Sequence, residues 1–157
     1  MNVFWRNLSE TLNSNQLINI MKSKLILSIG ITAVFATAAR ADLELGDASK
    51  LPAAAKQAGV TYDKDIKPLF EKSCVKCHSG DKPKSKFSME SLANILKGGK
   101  EGKSVVPGDS SKSALVHQAA DLVKDMEMPP TDKRDKYPAL SKDQIALVRA
   151  WIDQGAK

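Results

Sequence analysis

The residues with the most capacity for chemistry stand together in "KSCVKCHSG", residues 72–80. Cys74 and Cys77 are the only cysteines of the chain, and His78, one of its two histidines, follows the second directly. Three chemistries use such a cluster: a redox dithiol, a zinc site and covalent attachment of haem. A thioredoxin-like dithiol follows a strand and opens a helix, whose N-terminus lowers the thiol pKa. Here the order is reversed, because the cluster follows a helical pattern and leads into a loop. Zinc needs four ligands of suitable spacing. The chain adds only His117, and adjacent Cys77 and His78 are poorly placed to share one ion. Haem fits best. In C-x-x-C-H the two thiols add to the haem vinyl groups, so Cys74 and Cys77 would anchor one haem c and His78 would face its iron.

The opposite side of the iron needs a donor from elsewhere in the chain. The segment "MEMPP", residues 126–130, offers Met128, with two prolines that stiffen its loop and reduce the entropy lost on holding the sulfur. Met126 is the rival, two residues earlier, and His117 is a third candidate. A lone histidine on a helix reads more simply as a surface or propionate-facing residue, and either methionine as gap filling beside the cofactor. With no donor at all, the iron would be open to small molecules.

The elements that must position these groups read as helices. In "TYDKDIKPLFEKSC", Ile66, Leu69, Phe70 and Cys74 recur at helical spacing, with Pro68 at a start or a bend. "FSMESLANILKGGK" repeats the pattern through Met89, Leu92, Ile95 and Leu96, and Gly98-Gly99 end it. A third helix is expected in "SKSALVHQAADLV", capped by Asp109 or Ser110. The last, "SKDQIALVRAWIDQGAK", is the clearest: Ser141 and Gln144 form a capping box, and Ile145, Val148, Trp151 and Ile152 form one stripe. Gly155 stands at its C-terminal cap. No stretch alternates with period two for long, so the fold class is all-α, with four short helices. A domain this small often completes its core with a disulfide, a metal or a cofactor.

What precedes the domain concerns its destination. From Met21 the chain shows a basic start (Lys22, Lys24), an apolar run from Leu25 to Ala36, and Ala39-Arg40-Ala41. This is the layout of a secretory signal peptide cleaved after Ala41, and the run is short for a membrane span. Residues 1–20 are polar and asparagine-rich, and read as an N-terminal extension ahead of the true start. Residues 42–60 read as a loosely ordered leader with one helical turn near Pro52–Gln57, and residues 61–157 as the domain. The expected location is the periplasm or another exported compartment of a Gram-negative-like envelope, with no stable membrane span after cleavage. Across the 157 residues, 24 basic side chains face 18 acidic ones, a net charge of +6. The excess is mostly lysine and lacks the arginine clusters and interleaved aromatics of a nucleic-acid face.

Residues 61–157 resemble the planctomycete-type cytochrome c domain, a branch of the small mono-haem c-type cytochromes. The resemblance rests on "DIKPLF", "CVKCH", "KGG", "VVPGDSSKSAL", "MPP" and "LSKDQIALVRAWIDQGA", in that order. It implies a class I cytochrome c-like fold whose N- and C-terminal helices cross beside a covalently bound haem. It also implies Phe70 packed on Trp151 or Val148, and Met128 as the sixth ligand. The function expected is an exported electron carrier, not an enzyme, working between redox partner proteins. Lys72, Lys76, Lys82, Lys84 and Lys86 flank the site and suit an acidic docking face, although such a run is as readily a solvated loop. The alternative is a haem subunit of a larger oxidoreductase, or a haem enzyme or sensor with an open iron. An enzyme would need acid–base groups there, and only His117 and a few carboxylates are on offer.

Overall fold

The computed structural model describes residues 43–157, so the extension and the signal segment lie outside the described residues. Four α-helices follow one another: α1 Lys67–Ser73, α2 Leu92–Lys97, α3 Ala114–Ala119 and α4 Lys142–Asp153. Among the described residues there is no strand, only an isolated antiparallel bridge between Gly99 and Gly102. The all-α expectation holds.

Helix α1 does not start from open coil. A wide π-helical turn, Tyr62–Ile66, runs directly into it, and Pro68 occupies its first turn, where a missing N–H costs nothing. Asp65 accepts from the Thr61 backbone N–H at 2.9 Å, which closes the turn from its start. Tyr62, Ile66 and Phe70, at spacings of four, are all buried. Helix α2 is capped by the Ser91 hydroxyl, which accepts from the Asn94 N–H, and it ends at Gly98. Gly98 has φ +84°, and a Cβ there would lie 2.2 Å from the Gly102 carbonyl oxygen. Asp109 is indeed a cap, but of a short 3-10 turn, Ser110–Lys112; α3 begins only after Ser113.

Helix α4 carries the expected capping box: Gln144 N–H donates to the Ser141 hydroxyl, and Ser141 N–H to the Gln144 side chain. At its other end Gly155 (φ +99°) lets the Ala156 N–H reach the Trp151 carbonyl and its own N–H reach that of Ile152. The Trp151 ring is the centre of the core. Phe70 meets it edge-on at 6.2 Å between centroids, and Tyr62 at 6.0 Å. The Lys157 carbonyl then accepts from both the Trp151 indole N–H and the Tyr62 backbone N–H.

The segment before residue 61 corrects the expectation of a loose leader. Its only helical turn is Ala48–Lys50, ahead of Pro52, and the chain beyond is extended along α4. Ala55 N–H donates to the Ala146 carbonyl at 2.9 Å, and Gln154 donates to the Gln57 carbonyl at 2.8 Å. The Arg149 guanidinium bridges the Pro52 carbonyl and the Ser110 hydroxyl. Leu51 and Val60 are buried in the common core. Polar backbone that would be idle in a leader is satisfied by the last helix, so this segment is part of the domain.

Candidate functional site

Helical winding continues past α1 into the cysteines. Cys74 N–H donates to the Phe70 carbonyl at 2.7 Å, Cys77 N–H to that of Cys74 at 3.1 Å, and His78 N–H to Cys74 and Val75 at 3.2 and 3.0 Å. Spacings of three and four on such a turn put Cys74, Cys77 and His78 on one side. Both cysteines are free thiols; Cys77 is exposed and Cys74 half-buried. Burial, with a smaller contribution from Cys77, pushes the Cys74 thiol up to about 12. This is the opposite of the acidified thiol that a redox dithiol needs.

His78 is held on two sides by the loop that follows it. Its Nδ1 lies 3.0 Å from the Phe87 carbonyl, so Nδ1–H donates and Nε2 keeps its lone pair. The Met89 N–H donates to the His78 carbonyl at 2.7 Å, and the Phe87 ring packs edge-on at 5.6 Å. Burial pushes the His78 pKa down, against smaller upward pulls from hydrogen bonds with the Phe87 and Lys84 backbone. A neutral imidazole with one nitrogen anchored to a carbonyl is the form a metal-ligating histidine takes. The Tyr62 hydroxyl, 3.3 Å from the Met89 carbonyl, links this loop to the core.

The remaining candidates lie apart from that turn. Met126 and Met128 are half-buried on the loop after α3. Met128 N–H donates to the Gln118 carbonyl at 3.0 Å; the peptide that follows it, to Pro129, is cis. Arg134, which the sequence reading passed over, clamps this loop. Its Nε donates to the Pro129 carbonyl at 3.0 Å and its two terminal nitrogens to the Asp121 carboxylate at 2.9 and 2.5 Å. His117 is fully buried, not at the surface: its Nε2 donates to the Ser111 carbonyl at 2.7 Å, and Nδ1 is buried without a partner among the described residues. No hydrogen bond among the described residues joins Met126, Met128 or His117 to the cysteine turn. Beyond the two prolines, Lys133 pairs with Asp132 at 2.8 Å, which raises its pKa.

Among the described residues no group of three or more His, Cys, Asp or Glu side chains is gathered to hold a bare metal ion. What the turn offers instead is two unpaired cysteines three residues apart and a histidine whose Nδ1 is engaged by a backbone carbonyl, a set that would suit a haem bound through protein sulfur. The fold defines a small helical domain. Residues 74–132 match the Planctomycete cytochrome C family, and this segment is a planctomycete-type cytochrome c domain. The match runs from the first cysteine to just past the two prolines, taking in every candidate ligand but neither α1 nor α4. Membership implies haem c and a role in electron transfer between redox proteins. No curated protein and no solved structure matches the chain. No described helix is long and apolar enough to cross a membrane.

Proposed function

We propose that this protein is an exported mono-haem cytochrome that carries single electrons between redox partners. Cys74 and Cys77 would hold the haem by thioether bonds, and one pair of cysteines in the chain suits one haem. Bound there, the group supplies a one-electron iron couple. The observation that carries the reading is the Nδ1–H bond from His78 to the Phe87 carbonyl, which leaves Nε2 as the donor. Met128 is the preferred second ligand. Its backbone is tied to Gln118 and the next carbonyl is gripped by Arg134, whereas Met126 is held only by a turn bond to Val123. His117 has its Nε2 committed to Ser111.

Export rests on the segment from Met21 to Ala41. Lys72, Lys76, Lys82, Lys84 and Lys86 are exposed, flank the exposed Cys77 in the sequence, and suit weak, salt-sensitive encounters with acidic partners. The test is production in a host able to attach haem, followed by mass and absorption measurements. A mass gain of one haem is expected, with a six-coordinate spectrum. The long-wavelength band of sulfur-ligated ferric haem should vanish in Met128→Ala and survive in Met126→Ala. Carbon monoxide binding by the reduced wild-type protein at neutral pH would overturn the closed-site reading in favour of an open iron.

A further inference from the structure

We propose that Gly99 is a positioning residue for His78, setting how strongly the Phe87 carbonyl engages the imidazole and thereby the potential of the iron. The proposal rests on the reading of His78 as an axial ligand. Gly99 does not have the positive φ that favours glycine; closeness requires it. A Cβ at residue 99 would lie 2.7 Å from the Phe87 Cβ, 2.7 Å from the Ser85 carbonyl oxygen and 3.1 Å from the Phe87 Cα. The adjoining Lys100 N–H donates to that same Ser85 carbonyl at 2.7 Å. The tight loop closed by the Gly99–Gly102 bridge therefore lies directly against residues 85–87.

The backbone it supports is unusual. Ser85 and Lys86 have φ of +51° and +54°, a region that side chains other than glycine avoid. Two consecutive residues hold such a conformation only where their surroundings impose it. What the pair achieves is the placing of the next carbonyl, that of Phe87, 3.0 Å from His78 Nδ1. The line from Gly99 to His78 is thus contiguous: van der Waals contact at Phe87 and Ser85, then one hydrogen bond. A carbonyl that draws on Nδ1–H raises the basicity of a ligating imidazole and favours the ferric iron. A side chain at 99 pushes residues 85–87 aside and weakens that bond.

The test compares haem-loaded wild-type protein with Gly99→Ala. The variant is expected to keep its covalent haem, to shift its midpoint potential to more positive values, and to exchange the His78 Nδ1 proton with solvent roughly tenfold faster, the loss of about one ordinary hydrogen bond. Equal potentials and equal exchange would overturn the proposal. A wild-type measurement stands in should Gly99→Ala not fold. The Lys100 amide and the His78 Nδ1 proton should then be protected to the same degree, and an unprotected Nδ1 proton beside a protected Lys100 amide would overturn it. Wild-type protein without covalent haem would instead remove the ligation reading beneath the proposal.

Discussion

The two sides of the proposed haem site are held by different means. On the cysteine side, Cys74, Cys77 and His78 sit on one turn wound by hydrogen bonds within residues 70–78, and the next loop fastens His78 by its ring and its carbonyl. On the methionine side, Met128 sits on a loop held by Gln118 ten residues earlier and by an Arg134–Asp121 clamp spanning thirteen residues. A turn carries its own geometry; a clamped loop borrows it from packing. The cysteine side should therefore resist perturbation that releases the methionine side.

The largest expected effect breaks the cysteine side itself. His78→Ala should lower the yield of haem-loaded protein by at least about tenfold, read from haem absorbance per chain, since no other group is tied for ligation on that turn. Next is Trp151→Ala, which removes a fully buried ring in contact with Phe70 and Tyr62. Denaturant unfolding should show a loss of about 3–5 kcal/mol.

Arg134→Ala sharpens the contrast. Asp121 and Arg134 are partly exposed, so the global loss should be only about 1 kcal/mol. The methionine–iron band should nonetheless fade at lower temperature than in wild type while the haem stays attached. Arg134→Lys should not restore it, because one ammonium cannot replace the two-pronged contact. An unchanged band in both variants would show that the loop is not held in this way.

The smallest effect is electrostatic. The Asp109 carboxyl, partly exposed at the surface, is lowered from 3.8 to about 2, first by its bond with Lys112 and then by Ser111. Its depressed folded value means that the unfolded chain takes the proton first. The stabilisation is complete above pH about 4 and fades as the pH falls toward 2. Thermal midpoints of wild type and Asp109→Asn should differ slightly at pH 5 and converge near pH 2.

The contrast between local and borrowed geometry also explains what the sequence made legible. The C-x-x-C-H turn, the Ser141–Gln144 box and the α4 stripe are short-range patterns, and each stands where the spacing put it. The leader expected over residues 42–60 is packed from residue 43 onward, and its partners are too distant for a local pattern to announce: Pro52 meets Arg149 and Gln57 meets Gln154, each 97 residues on. His117 reads as a surface or propionate-facing residue in the sequence because its partner is a backbone carbonyl, at Ser111, which no side-chain pattern announces. Arg134 and Arg149 left one trace. From residue 42 onward they are the only two arginines beside 18 lysines, and both serve as multi-pronged clamps. A chain that uses lysine for charge and spends arginine twice marks where a planar fork is required.

The strap along α4 has a consequence for the order of events in the making of the protein. A chain synthesised from its N-terminus presents residues 43–60 well before the helix that secures them. Contacts of such long range close late. Until α4 emerges, Trp151 cannot seat against Phe70, and the turn with Cys74 and Cys77 belongs to an unfinished chain. On the proposed reading, such a topology would leave both sulfurs within reach of a haem before the core closes.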